Sequence, residues 1–343
     1  MTVIALGELL LRLKSPGHER LLQSGRFEAS IGGAEANVVS ALAAEGVAAA
    51  FVSAVPAGAL GDAALAELRR FGVDVSRVAR MPGRLGTYYL EAGAGQRPPR
   101  VIYDRERSVI ALADPGEFAW PTLLNGMSWF HVSGITPAIS ETGARLTTDA
   151  VRTARGMGLE VSVDFNHRAA LWKWGATPAE VMPGILDHAT IGIAGREDIQ
   201  AMLGMPLDAR PGAPDPDHEA FDALARAVLG RFPSLRMLAI TLRESESASR
   251  NGWSAMLVTR DATYRSRRWE ITDMVDRIGA GDAFSAALIH ALLGPARRTP
   301  ADALEFATAA SCLKHTIPGD VNRVRAAEVD ALLAGDGTGR VQR

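Results

Sequence analysis

Across 343 residues the chain carries a single cysteine, Cys312. No internal disulfide can form and a thiolate-bound metal cluster is excluded; set in an Ala-rich apolar stretch, the thiol reads as buried and inert. Blocks of like charge are also missing, and 37 Lys and Arg against 39 Asp and Glu leave a formal net charge of −2. Without a concentrated basic face, neither a nucleic-acid nor a membrane-surface partner is expected, so an anionic ligand has to be held by a few placed arginines. Long apolar runs are absent too. The longest uncharged stretch, Gly46–Gly61, is broken by Pro56 and is too short to span a bilayer. The opening MTVIALGELLLRLK has no basic region ahead of its apolar run and is interrupted by Glu8. It reads as a first strand and not as a signal peptide, with the cytoplasm as the default compartment. The seven histidines show no metal-ligand spacing, and His131 and His290 read as packing residues. Neither a GxxxxGK[ST] loop nor an HRD/DFG pair occurs, which excludes the two best-known kinase architectures.

What is present is an ordinary globular composition, 47% apolar and 22% charged, able to bury a sizeable core. Strand-like and helix-like patterns alternate, the signal for a mostly parallel sheet flanked by helices. Strands are expected at Val3–Leu6, Ala50–Ala54, Trp129–Val132, Leu159–Phe165, Thr190–Ala194 and Met237–Leu242. Helices are expected at Ala34–Glu45, closed by Gly46, and at Asp62–Phe71, with Asp62 as N-cap and Gly72 as terminator. Further helices are expected at Thr142–Arg155, Glu219–Arg231, Asp282–Leu293 and Ala301–Lys314. Three short extended pieces, Arg26–Ile31, Thr87–Glu91 and Arg100–Asp104, break the rhythm. They suit a small antiparallel sheet acting as a lid, with lid segments at about 9–31 and 84–110 of a single 1–343 domain. Pro206–His218 reads as a mobile surface loop and Gly335–Arg343 as a frayed tail.

The segment with most chemistry is Asp276-Arg277-Ile278-Gly279-Ala280-Gly281-Asp282, which runs into a strongly helical stretch. Small residues at Gly279, Ala280 and Gly281 let successive N–H groups converge at a positive helix end, forming a cradle for a phosphoryl group. A carboxylate at Asp282 suits a general base that takes the proton of an attacking alcohol. The same residues, taken alone, also describe a plain strand-to-helix turn with an aspartate cap.

DRIGAGDAF resembles the signature of ribokinase-like (PfkB) carbohydrate kinases, and Gly32-Gly33-Ala34-Glu35-Ala36-Asn37 resembles that family's N-terminal Gly-Gly motif. The resemblance implies a ribokinase-like α/β fold with a small β-sheet lid, ATP as co-substrate, Mg2+, catalysis by Asp282, and an anion hole at Gly279, Ala280 and Gly281. It leaves open whether a monovalent cation is needed. Four further stretches resemble the 2-keto-3-deoxygluconate kinases of this family: GTYYLEAGAGQRPPRVIYDR, SGITPAIS, DFNHRAALW and LKHTIPGD.

Tyr103 and Arg105 fall on one face of a strand, and a guanidinium fork matches a carboxylate while a phenol adds a donor. Asn37 can bridge two sugar hydroxyls. The resemblance assigns Arg105 and Arg168 to a sugar acid and makes Gly33, Tyr88 and Asp320 further substrate contacts. It places Asn166, Arg168, Thr241, Arg243 and Ser311 about the nucleotide, Ser311 near the adenine. The family's Asn-x-x-Glu motif, which organises hydrated magnesium, stands here as Gly195-Arg196-Glu197-Asp198, so either Glu197 or Asp198 serves. His167 stands where tyrosine is more usual. The expected partners are therefore a sugar acid and ATP, with a homo-oligomer formed through the lid edges. Kinases for fructose or 2-keto-3-deoxygalactonate, and a catalytically silent binding protein, are the competing readings.

Overall fold

The computed structural model describes residues 1–209, 216–293 and 298–335. Residues 210–215 of the expected surface loop and 336–343 of the expected tail lie outside the described residues. Seven strands form the parallel body of one large sheet: β1 (Thr2–Leu6), β4 (Ala48–Pro56), β5 (Val78–Met81), β8 (Trp129–Ser133), β9 (Glu160–Asp164), β10 (Ile191–Gly195) and β11 (Met237–Ser245). Their order is β11-β10-β9-β8-β1-β4-β5. An antiparallel flap, β12 (Asn251–Thr259), β13 (Thr263–Arg265) and β14 (Trp269–Ile271), extends the β11 edge. A second, four-stranded sheet consists of β2 (Leu10–Lys14), β3 (Glu28–Gly32), β6 (Gly86–Glu91) and β7 (Arg100–Asp104), in the order β3-β2-β6-β7.

The period of two explains how the large sheet is covered on both faces. Ile4 and Leu6 of β1 join Val161 and Val163 of β9 on one side, against Leu146, Met182 and Phe221 of three helices. Val3 and Ala5 join Ile191 and Ile193 on the other, against Val38, Phe284 and Phe306. In β7 the pattern is different: Val101 and Tyr103 are half-buried while Arg100, Ile102 and Asp104 are exposed, as expected of a strand with one wet face.

The small sheet, expected to be antiparallel, is mixed, because β2 runs parallel to β6; three further sequence expectations need correction. The opening run is two strands, because the chain leaves the large sheet at Gly7 and Glu8 and β2 pairs with β3 and β6 instead. The helix expected to start at Asp62 starts at Ala59 with Gly58 as N-cap; Asp62 lies within its first turn and pairs with Arg80 at 2.7 Å. β12 was not anticipated. Eight of its nine residues are buried, so its sequence lacks the alternation that marks a half-exposed strand. Among the described residues, no helix is long and apolar enough to cross a membrane.

Candidate active site

The strand order reverses direction beside β1: the chain builds outwards to β4 and β5, then resumes at β8 on the other side. Open α/β sheets bind ligands beyond the carboxyl ends of their strands near such a point. A cavity of about 690 Å3 lies there, bounded by the ends of β9, β10 and β11, by the Gly279–Asp282 turn and by the inner face of the small sheet.

The turn has the conformation that its composition suggests, with one shift of register. Gly279 is the N-cap of the Ala280–Leu292 helix at φ 79°, and a Cβ there would sit 1.9 Å from the Asp320 carbonyl oxygen. Positive φ and a backbone neighbour together restrict this position to glycine. Gly281 is different: it lies within the helix, and a Cβ would meet nothing within 4 Å. The demand for glycine therefore falls on Gly279, while Gly281 leaves open space on the cavity side. Gly279 has no side chain to cap the helix, so the first-turn N–H groups remain available to an anion.

Asp282 projects from that first turn, and Asn37 Nδ2 donates to its Oδ2 at 2.7 Å. Burial raises its pKa to about 7; the Asn37 hydrogen bond opposes the rise, and Asp320 and Glu35 add to it. A carboxyl poised near neutrality is what a general base needs. Asn37, expected to bridge sugar hydroxyls, thus holds the base, and its own Oδ1 is buried without a partner. Its neighbour in sequence, Glu35, is buried and accepts from Ser133 N–H at 2.9 Å, tying the Ala34–Ala44 helix to the end of β8. Gly33 is that helix's N-cap at φ 152°, and a Cβ there would lie 2.2 Å from the Glu8 carbonyl oxygen. A Cβ at Gly32 would meet the Asp320 carboxylate. The close approach that this Gly-Gly pair permits is one of protein to protein.

The small sheet supplies the opposite boundary. Arg105 is buried, and its Nε donates to Glu8 Oε2 at 2.7 Å, with Nη2 on the same oxygen. That edge of the guanidinium is taken, so a ligand carboxylate can meet only the end-on edge carrying Nη1. The Arg105 guanidinium also lies 5.9 Å from the centre of the Tyr103 ring. Tyr88 is buried, and its hydroxyl donates to Asp320. Arg12 of β2, itself 2% exposed, bridges Asp320 and Asp276, the latter at 2.5 Å. Burial disfavours this charge, but the two carboxylates outweigh it and raise the Arg12 pKa.

On the remaining side, Thr241 and Arg243, both within the C-terminal half of β11, line the cavity, with Asn166 and Arg168 beyond β9. Asn166 takes φ 43°, a left-handed conformation that Asn tolerates better than most residues. Asp198 accepts from the Gly195 N–H at 2.6 Å and from the His167 N–H at 3.3 Å, while Glu197 is exposed. Burial raises the Asp164 pKa, and the charges of Asp198 and Asp282 add to the rise. Ser311 does not line the cavity but lies one residue behind its wall. It is fully buried, and its hydroxyl donates to the carbonyl of cavity-lining Ala280 at 2.7 Å, joining two helices. The expectation for the histidines holds: His131 is buried against Ser162, and His290 stacks on Phe306. Cys312, expected to be buried, is half-buried; burial still pushes its thiol up to about 11, which keeps it protonated.

The model of the pfkB family of carbohydrate kinases matches residues 2–326. The chain belongs to that family. The kinase is 32% identical to a 2-dehydro-3-deoxygalactonokinase of Haloferax volcanii over 337 residues, 98% of each chain. It is 26% identical to a 2-dehydro-3-deoxygluconokinase of Bacillus subtilis over 326 residues, 94% of this chain and 92% of the other. The crystal structure of 2-dehydro-3-deoxygluconokinase from Thermotoga maritima superposes with a TM-score of 0.89 at 41% identity, covering 98% of both chains.

Several residues of the kinase's cavity region escape a reading of the sequence. Arg12 was legible in principle, as a charge between Leu11 and Leu13 on the same strand face as Leu10. Glu8 interrupts the opening strand and reads only as a break. Trp253 lies on the unanticipated β12. Arg277, although inside the DRIGAGD signature, carries no expectation of its own.

Proposed function

We propose that this carbohydrate kinase transfers the γ-phosphoryl group of ATP to the terminal hydroxyl of 2-dehydro-3-deoxygluconate (2-keto-3-deoxygluconate), releasing ADP and the 6-phosphate. The observation that carries the reading is that one cavity holds a carboxyl poised near neutrality, a free helix N-terminus and a buried arginine, Arg105, with an unoccupied donor edge. Neutral sugars give that arginine no anionic partner. Asp282 takes the hydroxyl proton, the hydroxyl oxygen bonds to the γ-phosphorus, and the bond from that phosphorus to the β,γ-bridging oxygen breaks as ADP leaves. First-turn N–H groups of the Ala280–Leu292 helix donate to the transferring oxygens and stabilise their charge. Tyr103 and Arg105 orient the acid end, Tyr88 packs against Tyr103 while its hydroxyl donates to Asp320, and Gly33 sets the approach of Asn37. Thr241, Arg243, Asn166 and Arg168 face the nucleotide.

Magnesium arriving with ATP supplies neutralisation of phosphate charge while keeping most of its water shell. The chain fits that role: Asp164, Asp198 and Asp282 are mutually repelling carboxylates on one cavity, although among the described residues no three-ligand metal cluster exists. Asp198, fixed by two backbone donors, is the better water-mediated contact than exposed Glu197. The row Ala29, Leu13, Tyr89 and Ile102 crosses all four strands of the small sheet. We place a homo-oligomeric contact there.

ADP release with a panel of sugars tests the reading. Both 2-keto-3-deoxy acids should be turned over with kcat/KM at least about 100-fold above fructose or ribose; a preference for either neutral sugar would overturn it. The Haloferax relative favours the C4 epimer, the galactonate, as the second reading, and the ratio of the two acids' kcat/KM decides between them.

A further inference from the structure

Among the described residues, Arg243 and Arg277 line this cavity without a carboxylate partner. Arg243 projects from the end of β11, with its guanidinium carbon 4.8 Å from the centre of the Trp253 ring. Its Nη1 is buried and hydrogen-bonds to nothing. Arg277 lines the same cavity, half-buried, immediately ahead of the Gly279 turn. Among the described residues, neither has a carboxylate partner: Glu244 is taken by Arg268, and Asp276 by Arg12. Burial lowers the Arg243 pKa to about 9, and the charge of Arg277 lowers it further in the same direction. Burial also lowers the pKa of Arg277. Behind the indole, His315 packs edge-on to Trp253 at 5.5 Å and is held neutral by burial.

Buried like charges without a counter-ion destabilise a fold, and natural chains retain them where a ligand supplies the missing charge. A further anion-seeking feature of the same cavity is the uncapped N-terminus of the Ala280–Leu292 helix. A ligand that satisfies all three must carry several adjacent negative charges. A single sugar carboxylate does not; a nucleotide polyphosphate does. We infer that Arg277 and Arg243 form a paired-guanidinium clamp on the polyphosphate of the nucleotide, with Trp253 as the platform that fixes Arg243. The inference rests on the proposed kinase reaction and adds Arg277 and Trp253 to its machinery. As the bond to the β,γ-bridging oxygen breaks and charge moves onto the ADP being released, the clamp holds that charge while Asp282 retains the sugar's proton.

The test compares wild type with Arg277→Met and Arg277→Lys, using ADP, adenosine and the sugar acid as separate probes in calorimetry. Removing a charge-assisted phosphate contact should weaken ADP binding about 10- to 100-fold while leaving adenosine and sugar-acid binding within about twofold. Arg277→Lys should recover part of the ADP affinity. The melting temperature of the free protein should rise in Arg277→Met, because the like-charge neighbour of Arg243 is gone; a merely structural arginine would lower it. Unchanged ADP affinity in Arg277→Met, or a loss confined to the sugar acid, would overturn the clamp while leaving the kinase reading intact. A wild type that binds no nucleotide would overturn both.

Discussion

Replacing Asp282 by asparagine tests the centre of the mechanism, because the structure sets both a kinetic and a thermodynamic consequence. Asparagine keeps the shape and can still accept the hydrogen bond from Asn37 Nδ2. It cannot take a proton. General-base catalysis contributes roughly 100- to 10,000-fold, so kcat should fall by at least about 100-fold with a small change in the KM for ATP. In the wild type, the base is usable only when ionised. With a pKa of about 7, kcat/KM should drop tenfold per pH unit below that value and level off above it.

The thermodynamic consequence has the opposite sign. The carboxyl is raised from 3.8 to about 7 in the fold, so the native state binds more protons than the unfolded chain between these values. Stability contributed by the protonated group is present below about pH 4 and is lost as pH rises to about 7. The full lift corresponds to roughly 4 kcal/mol, and partial solvation in an open cavity reduces it to about 2 kcal/mol. Asp282→Asn should therefore melt about 2–4 °C above wild type near pH 8 and together with it near pH 4. Stopped-time ADP assays and scanning fluorimetry across pH supply both readings. A variant that keeps more than about a tenth of wild-type kcat would remove Asp282 from its role; one that melts below wild type at pH 8 would refute the electrostatic reasoning.

The two glycines of the turn should behave differently. Gly279→Ala drives a Cβ onto the Asp320 carbonyl at positive φ, so melting temperature and turnover should fall together. Gly281→Val, with nothing within 4 Å, should melt like wild type and lose nucleotide affinity because its side chain occupies the cavity; equal melting of the two variants would contradict this assignment. Arg105→Ala should lower kcat/KM for the sugar acid about 10- to 150-fold, the worth of a charge-assisted hydrogen bond, and hardly change residual activity on a neutral sugar. Equal losses on both would make Arg105 a packing residue paired with Glu8. Arg12→Met leaves Asp276 and Asp320 buried and uncompensated, at a cost of about 3–5 kcal/mol; a melting point unchanged near pH 8 would show that the bridge is unimportant.

How much of this was legible depends on the distance over which each feature acts. The alternation of strand and helix, the GAG turn and Asp282 are local, and a stretch of seven residues specifies them. Arg12 meets Asp276 and Asp320 across 264 and 308 positions, and no pattern near residue 12 names those partners. Ser311 shows the limit of helix phase. Its helix is buried on most sides, so periodicity does not say which face turns to the cavity, and the hydroxyl turns instead to the Ala280 carbonyl. Arg105 shows a different limit: a fork that suits a ligand carboxylate suits Glu8 equally well, and only the fold decides which edge remains.

The formal charge of −2 conceals a strong separation within the cavity. Burial and the charges of Asp198 and Asp282 raise the proton affinity of Asp164, whereas burial and the charge of Arg277 lower that of Arg243. The protein resolves such conflicts elsewhere, as Arg12 does between its two carboxylates, so the conflicts left standing are informative. Pairing the two groups directly would stabilise the empty protein and fill the space where a reaction has to occur. Keeping them apart costs stability and leaves a site that is relieved only by a polyanion accompanied by a cation. A nucleotide with its magnesium has that charge pattern. The same separation explains why removing a catalytic charge should make the free protein more stable, and why stability and turnover are expected to move in opposite directions at Asp282 and Arg277 alike.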